Sequence, residues 1–323
     1  MTSSDSRGPC GSRYRRDVTA DLRVDTAVRA DPDVPGRYHV TLPNHWDYMN
    51  PSGGVVMTCA LRAAAAELAD PNLRFGSATT IFASPIHVGP LVADVHVIRR
   101  GKSASQVRVE LRHAGPGSVE GFATGPAASE PGLELIATFI RDRKGPDVKA
   151  VGFPDWAKRV DEALVVTGDL EKHPASRLRF YQQVDYRVAS GESFWGPSTE
   201  AGPGRYARWF RYKVPQTSDG LFDRLAIPPL IDTMPTALAR AIGPGGYRFY
   251  APSLDLTTYV VDDTAREWFL VAVTLRRARM GWAVADAEVW DDDDRLVAYG
   301  SQAMYLHGLS GEPPVVDASR RTE

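Results

Sequence analysis

Two places in the chain combine residues that could activate a carbonyl group. Gly53 and Gly54 precede an alanine-rich run, and the N–H groups at a helix start are unpaired donors at the positive end of the dipole. Glycine lets a carbonyl approach the backbone closely, so Gly53, Gly54 and Val55 are candidate donors to an oxyanion. Asp232 lies among Leu, Ile, Met and Pro, where burial would raise the pKa of a carboxylate and make it a better base.

Each of these residues also has a structural interpretation, and both interpretations stay open. Paired glycines are commonly turn residues, and an aspartate that follows two prolines can simply flank the start of a helix. Asp47 and Asn50 lie in the loop before the glycines. Such residues usually form local turn hydrogen bonds, so a site role for them is the minor alternative.

Two charged clusters could bind ions. Arg99, Arg100 and Lys102 surround Gly101 and could contact phosphate groups, although a solvated hairpin tip is the preferred interpretation. The four aspartates at 291–294 could bind a cation through oxygen ligands, but an exposed acidic turn is the preferred interpretation.

Several known catalytic motifs are missing from the sequence. There is no Gly-x-Ser-x-Gly nucleophile elbow, phosphate-binding loop, dinucleotide fingerprint or His-Glu-x-x-His motif. The seven histidines lack the spacing of metal ligands. We therefore expect no metal, no bound cofactor and no catalytic histidine.

The composition bounds the class of protein. The chain has 323 residues, of which 43% are hydrophobic and 24% charged, with a net charge of −2. This length and hydrophobicity predict a large folded core rather than disorder. The balanced charge argues against nucleic-acid binding, and the lack of a long apolar run or signal peptide predicts a cytoplasmic protein that does not bind membranes.

The order of predicted elements occurs twice. In each half a strand and a loop lead into one buried helix, followed by strands of alternating polarity joined by short turns. The first half predicts a helix over 55–69 and strands over 36–43, 77–86, 93–100, 105–115 and 134–143. The second half predicts a helix over 230–243, ending at Gly243, and strands over 204–214, 253–261, 267–279, 282–291 and 295–307.

This order predicts an α+β fold of two units, each a long buried helix wrapped by a curled antiparallel sheet. The first unit is expected over 17–145 and the second over 177–309. We expect a connector at 146–176, with one short helix over 155–164, and disordered tails at 1–16 and 310–323.

The pattern resembles the tandem "double hotdog" proteins of the acyl-CoA thioesterase II family. In the first half, the resemblance rests on the Gly-Gly pair before the helix, the segment SATTIFASPIHVG and the hairpin VIRRGKSASQVRVEL. In the second half it rests on LIDTMPTALA, SLDLT, EWFLVAV and WDDDDRLVAYGSQAMYL. No single motif is specific, but their shared order covers roughly residues 36–309.

The resemblance implies a site in which an acid, a hydroxyl and an amide position a water molecule. Asp232 matches the family's aspartate, Ser253 stands at its threonine, and Gln302 matches its glutamine. Serine keeps the hydroxyl but loses the methyl group that restricts the side-chain rotamer. Arg99, Arg100 and Lys102 would then contact the phosphates of coenzyme A.

The leading hypothesis is hydrolysis of an acyl-CoA or acyl-carrier thioester, in which coenzyme A is part of the substrate. One alternative keeps the fold but replaces hydrolysis by cyclisation, dehydration or isomerisation of a polyketide-like substrate. Another is an acyl-binding module without catalysis. The family resemblance also implies a role in fatty-acid metabolism and a homodimer.

Overall fold

The computed structural model describes residues 19–114, 130–166, 178–190, 201–243, 247–319 and 321. Its α-helices are α1 Leu22–Asp25, α2 Gly53–Leu68, α3 Arg179–Gln182, α4 Pro228–Ile231 and α5 Pro235–Ile242. Its strands are β1 Arg29–Ala30, β2 Arg37–Leu42, β3 Arg74–Phe82, β4 Gly89–Arg100, β5 Ala104–His113, β6 Leu133–Ile140, β7 Leu164–Val165, β8 Val184–Ser190, β9 Arg205–Tyr212, β10 Thr217–Ser218, β11 Leu221–Phe222, β12 Arg248–Tyr250, β13 Asp255–Val260, β14 Phe269–Arg279, β15 Trp282–Asp291, β16 Leu296–Tyr305 and β17 His307–Ser310.

Helix α2 is the buried centre of the first unit. Its alanine, leucine and methionine content favours helix, and side chains are buried around nearly its whole circumference. The helix ends where Ala69 adopts a left-handed conformation, with φ of 50°. The predicted helix is confirmed, and it begins two residues earlier than expected, at Gly53.

A single antiparallel sheet wraps both units. Strands of the first unit lie in the order β1-β2-β4-β5-β6-β3, and the sheet continues as β13-β16-β15-β14-β9-β8-β7. The two halves join where β3 pairs with β13, with Thr79 opposite Thr257. The predicted pair of curled antiparallel units is confirmed, and the units share one continuous sheet.

The second unit differs from the prediction at its helix. The expected helix over 230–243 is wrong, because the chain forms two short helices, α4 and α5, instead of one. Pro235 begins α5, and a proline lacks the N–H that a continuous helix needs. Asp232 lies at this break, with φ of −72° and ψ of 41°. The break turns the backbone so that its carboxylate points towards the first unit. At the far end, Gly243 has a φ of 70° and follows the last helical residue, as expected.

The segment between the units contacts the sheet but does not form the expected short helix. Over 155–163 the chain makes turns, and Lys158 N–H donates to the Ala189 carbonyl of β8 at 2.8 Å rather than to its own segment. Phe153 and Trp156 pack in a small separate cluster with Trp209 and Trp290. The packing of Trp156 against this cluster replaces local helix formation. Strand β8, on which this segment lies, was not predicted.

Among the residues that the structure describes, no helix combines the length and the apolar character needed to cross a bilayer.

Candidate active site

The Asp232 carboxylate is the centre of a buried hydrogen-bond network. The residue is only 6% exposed, and each of its two oxygen atoms accepts two hydrogen bonds. A carboxylate that is removed from water needs such partners, because an unpaired buried charge is very costly. The break between α4 and α5 therefore places the Asp232 carboxylate where four hydrogen-bond donors surround it.

One carboxylate oxygen binds the two other residues that the sequence implicated. Ser253 Oγ donates to Asp232 Oδ1 at 3.2 Å, and Gln302 Nε2 donates to the same oxygen at 2.6 Å. Gln302 Nε2 also lies 2.6 Å from Ser253 Oγ. Ser253 precedes β13 and Gln302 lies on β16, so three separate segments of the second unit meet here. Their catalytic role stays a prediction.

The other carboxylate oxygen binds the first unit. Ser52 Oγ and the Gly54 N–H both donate to Asp232 Oδ2, each at 2.9 Å. Ser52 occupies the N-cap position of α2, but its hydroxyl does not cap the helix. We did not predict Ser52, although a serine immediately before a helix start is a recognisable signal of a polar contact there.

The three candidate oxyanion donors, the N–H groups of Gly53, Gly54 and Val55, differ in whether they already have an acceptor. The Gly54 N–H is occupied by Asp232, and the Val55 N–H donates to the Ser52 carbonyl at 3.0 Å. Within the described part of the chain, only the Gly53 N–H of these three has no acceptor. An oxyanion role at this helix start therefore falls to Gly53, and that role is still untested.

Close contacts surround both glycines, and those of Gly54 are with backbone atoms. A Cβ atom at Gly53 would lie 2.9 Å from the Phe82 ring and 3.3 Å from Asp232 Oδ2. At Gly54 it would lie 2.4 Å from the Pro228 carbonyl oxygen. Gly54 thus lets α2 cross α4 at short distance, and that crossing brings the first unit to Asp232.

The site combines a buried carboxylate of raised pKa with a buried amide oxygen. Burial raises the pKa of Asp232, and the bonds from Gly54, Ser52, Gln302 and Ser253 oppose that shift without cancelling it. Gln302 is fully buried, and its Oε1 atom has no hydrogen-bond partner among the described residues. A small polar molecule bound beside Asp232 would find this oxygen free.

Asp47 and Asn50, the minor candidates from the sequence, lie in the loop before α2 and do not bind Asp232. Asn50 Nδ2 donates to the Tyr250 hydroxyl at 3.3 Å. Burial raises the pKa of Asp47 to about 6. Asp47 accepts, through its backbone carbonyl, the N–H of Phe180 at 3.1 Å. These contacts hold the loop against the second unit.

The basic hairpin lies at the far end of α2. Arg100 donates to the carbonyls of Glu67 and Leu68, each at 2.9 Å, and so caps the C-terminal end of the helix. Because α2 has 16 residues, this end lies about 24 Å from the end at Asp232. Arg100 therefore has a structural task here, and a phosphate contact for Arg99, Arg100 and Lys102 stays a prediction.

The acidic turn at 291–294 is tied to neighbouring cations. Arg266 pairs with Asp293, Arg159 pairs with Asp294, and the buried Asp291 accepts the Thr264 hydroxyl at 2.7 Å. Within the described ranges, no group of three or more His, Cys, Asp or Glu side chains is arranged to hold a metal ion.

Comparison with known protein families gives two adjacent matches. The acyl-CoA thioesterase N-terminal domain matches residues 42–126, and the acyl-CoA thioesterase C-terminal domain matches residues 147–306. Together the two models account for most of the chain, in the order that the family has. No curated protein gives a significant match.

Solved structures share the whole architecture at low identity. A hotdog-fold protein of unknown function from Alicyclobacillus acidocaldarius has a TM-score of 0.71 and 19% identity, covering 92% of this chain and 100% of that one. An acyl-CoA thioesterase II from Mycobacterium marinum has a TM-score of 0.65 and 18% identity, covering 91% and 99%. A TesB protein from Mycobacterium avium subsp. paratuberculosis has a TM-score of 0.65 and 16% identity, covering 91% and 98%.

At these identities the structural likeness shows the fold alone, and the family assignment rests on the two domain matches. Both matches agree with the duplicated architecture and with the motifs of the sequence. The chain therefore belongs to the acyl-CoA thioesterase family, whose two hotdog domains form a thioester hydrolase.

Proposed function

We propose that the protein hydrolyses acyl-CoA thioesters by direct attack of a water molecule that Asp232, Ser253 and Gln302 orient. The observation that carries this proposal is the pairing of a buried carboxylate with a free amide oxygen, Gln302 Oε1. A thioester is already reactive towards water, so orientation of the water and proton removal are sufficient tasks for the protein.

The geometry supports a definite position for the water. Of the four hydrogen bonds to Asp232, the one from Ser253 is the longest, at 3.2 Å. A water molecule could share this position on Asp232 Oδ1 while it donates its second proton to Gln302 Oε1. Both of its protons would then be bound, and an oxygen lone pair would face the thioester carbon.

The proposed reaction uses Asp232 as the general base. Its carboxylate takes a proton from the water as the oxygen forms a bond to the thioester carbon. The carbonyl oxygen becomes negative and is stabilised by the Gly53 N–H at the positive end of α2. When the carbon–sulfur bond breaks, the departing thiolate receives the proton from Asp232, which leaves a free acid, a thiol and the original carboxylate.

The test is release of free thiol from a panel of acyl-CoA and acyl-carrier thioesters. We expect turnover by the wild-type protein and a loss of about 10²- to 10⁴-fold in Asp232→Asn, the range typical of removing a general base. Asp291→Asn is a matched control, because Asp291 is a fully buried acid of the same unit that bonds to Thr264. Equal rates in Asp232→Asn and wild type would refute the mechanism, and tight binding without thiol release would refute hydrolysis.

A further inference from the structure

Phe82 places an apolar ring at the start of α2. It is the last residue of β3. A Cβ atom at Gly53 would lie 2.9 Å from the Cζ atom of this ring and 3.3 Å from Asp232 Oδ2. The ring tip and the carboxylate oxygen therefore lie on the same side of Gly53, close to each other. Phe82 takes no part in the reaction proposed above.

The geometry of a helix start places the ring beside the candidate oxyanion donor. In a helix the Cα–Cβ bonds tilt towards the N-terminus, and the first N–H groups, which have no partner within the helix, point in that direction too. A ring at the Cβ position of Gly53 therefore lies next to the Gly53 N–H, the group to which we assign the oxyanion.

The ring also lies on the accessible side of the site. Asp232 is only 6% exposed and Gln302 is fully buried. Gly53, Ser253 and Phe82 each keep part of their surface accessible. The route from solvent to the carboxylate therefore runs along these three residues, and Phe82 is the one with a large apolar side chain.

Both units hold the end of β3 that carries the ring. Phe82 pairs with Leu133 of β6, and its N–H donates to the Leu254 carbonyl at 3.0 Å. Leu254 follows Ser253 in the chain, so the ring and the site hydroxyl are attached to each other through the backbone. Phe82 also packs against the main hydrophobic core, and a purely structural role is the alternative that the experiment must separate.

We propose that Phe82 is a positioning residue of the reaction, whose ring forms an apolar cover that keeps bulk water away from the Asp232 carboxylate and the Gly53 N–H. This inference rests on the proposed function, because it requires Asp232 to act as the base. A carboxylate that is kept out of water binds a proton more tightly and is a stronger base. A hydrogen bond to an oxyanion is likewise stronger where bulk water is excluded.

The phenols and the cation behind the site keep their charge states in the acid range. Burial, and to a smaller degree the charge of Asp232, raises the pKa of the Tyr48 and Tyr181 phenols, so both stay neutral. On the side of β9, the Tyr206 hydroxyl donates to Thr233 Oγ1 at 3.1 Å. The Arg208 guanidinium lies over the Tyr206 ring at 5.1 Å, and an arginine stays charged throughout.

Two other carboxylates lie on the segments that surround the site. Asp255 of β13 accepts the Ala303 N–H at 2.8 Å. Burial raises the pKa of Asp47, in the loop before α2, to about 6. Protonation of Asp47 could be confused with that of Asp232, so Asp47→Asn is included as a control.

The experiment measures kcat/KM against pH for the acyl-CoA that the wild-type protein hydrolyses fastest. In Phe82→Ala water reaches Asp232, so the apparent pKa of the acid limb should fall by about one unit. At pH 7 its kcat/KM should be about tenfold lower, because the base is weaker. Phe82→Leu keeps an apolar cover and should keep the wild-type apparent pKa, as should Asp47→Asn.

A second aromatic residue of the same strand is the matched control. Phe75 lies at the opposite end of β3 and packs on Phe139, with ring centroids 6.0 Å apart. Phe75→Ala should lower the melting temperature without moving the acid limb. Should Phe82→Ala fail to fold, Phe82→Gln keeps most of the volume but brings a polar amide, and it should lower the apparent pKa in the same direction.

The outcomes separate this inference from the proposed function. If the wild-type protein hydrolyses thioesters but neither Phe82→Ala nor Phe82→Gln moves the acid limb, the inference alone is overturned and the ring belongs to the core only. The same holds if Phe75→Ala moves the limb as far as Phe82→Ala. If no thioester is hydrolysed by wild type, or if the acid limb persists in Asp232→Asn, the proposed function fails and the inference with it.

Discussion

The two units of the chain have a similar arrangement of strands. The strand pair β3–β13, where the units join, allows their residues to be compared position by position. Thr79 of β3 lies opposite Thr257 of β13, and we take these two residues as equivalent positions of the two units. In the same way, Thr257 pairs with Ser301 of β16 and Thr79 pairs with Ile136 of β6. From the joining strands outwards, β3-β6-β5-β4-β2-β1 of the first unit corresponds in position to β13-β16-β15-β14-β9-β8 of the second, which adds β7 at its edge.

The polar groups of the site are not repeated. Ser253 faces Met304, and its counterpart is Phe75, which faces Phe139. The residue after Ser301 is Gln302, whereas the residue after Ile136 is Ala137. Where the second unit breaks its helix at Asp232, α2 runs unbroken, without a carboxylate until Glu67. At the counterparts of Ser253 and Gln302 the first unit is therefore apolar.

The two units therefore contribute different parts of the site. The first unit keeps a straight helix, and the start of that helix supplies Ser52, Gly53 and Gly54 to the site of the other unit. In the second unit the helix is interrupted between α4 and α5, and Asp232 lies at this interruption, close to where α4 crosses α2. Neither unit contains the whole site, so we predict one active site for each chain.

Among variants that make the second unit resemble the first, we expect the largest effect at Gln302. Gln302→Ala introduces the residue found at Ala137 and removes the amide that bonds to Asp232 and Ser253. We expect kcat/KM for thiol release to fall about a hundredfold, which corresponds to about 2.7 kcal/mol. Gln183→Ala is the control, because Gln183 is a buried amide that bonds to Ala20 away from the site. Activity close to wild type in Gln302→Ala would remove the amide from the mechanism.

The contact between the units is tested at Gly54. In Gly54→Ala the new methyl group would overlap the Pro228 carbonyl, and such overpacking costs about 1–3 kcal/mol. Urea denaturation should show a lower midpoint for this variant. Gly152→Ala should leave it unchanged, since nothing lies within 4 Å of a Cβ there. An unchanged midpoint in Gly54→Ala would mean that the helices do not cross as described.

The smallest effect is expected at Ser253, the position where the family has threonine. Ser253→Ala removes a hydroxyl that donates to Asp232, and the loss of one hydrogen bond should lower kcat/KM about tenfold. Ser253→Thr keeps the hydroxyl and restricts its rotamer, so its kcat/KM should stay within about threefold of wild type. If the alanine variant is as active as the threonine variant, the hydroxyl has no role in orienting the water.

Much of the fold could be predicted from the sequence, because its signals are local. The alanine-rich composition of α2 and the alternating strands needed no tertiary information. The break at Asp232 was missed, although Pro235 is visible in the sequence, because the apolar run around it fits a continuous buried helix. The short helix expected over 155–164 does not form, since its one aromatic residue, Trp156, packs against the sheet instead.

The site was only partly predictable. Asp232, Ser253 and Gln302 could be named from the family pattern, but their contacts could not, since these depend on how the units meet. For the same reason, Gly54 was expected to face a substrate and instead bonds to Asp232. Ser52 was missed because its partner lies 180 residues away in the chain.

The central claim, that the Asp232 carboxylate is the base of a single site, is tested most directly by the pH dependence of kcat/KM. A base must be deprotonated, and burial raises the pKa of Asp232 above its ordinary value of 3.8. The wild-type rate should therefore fall as the pH decreases through an apparent pKa above that value. The residual rate of Asp232→Asn should lack this acid limb. A limb with the same apparent pKa and rate in Asp232→Asn would contradict the account.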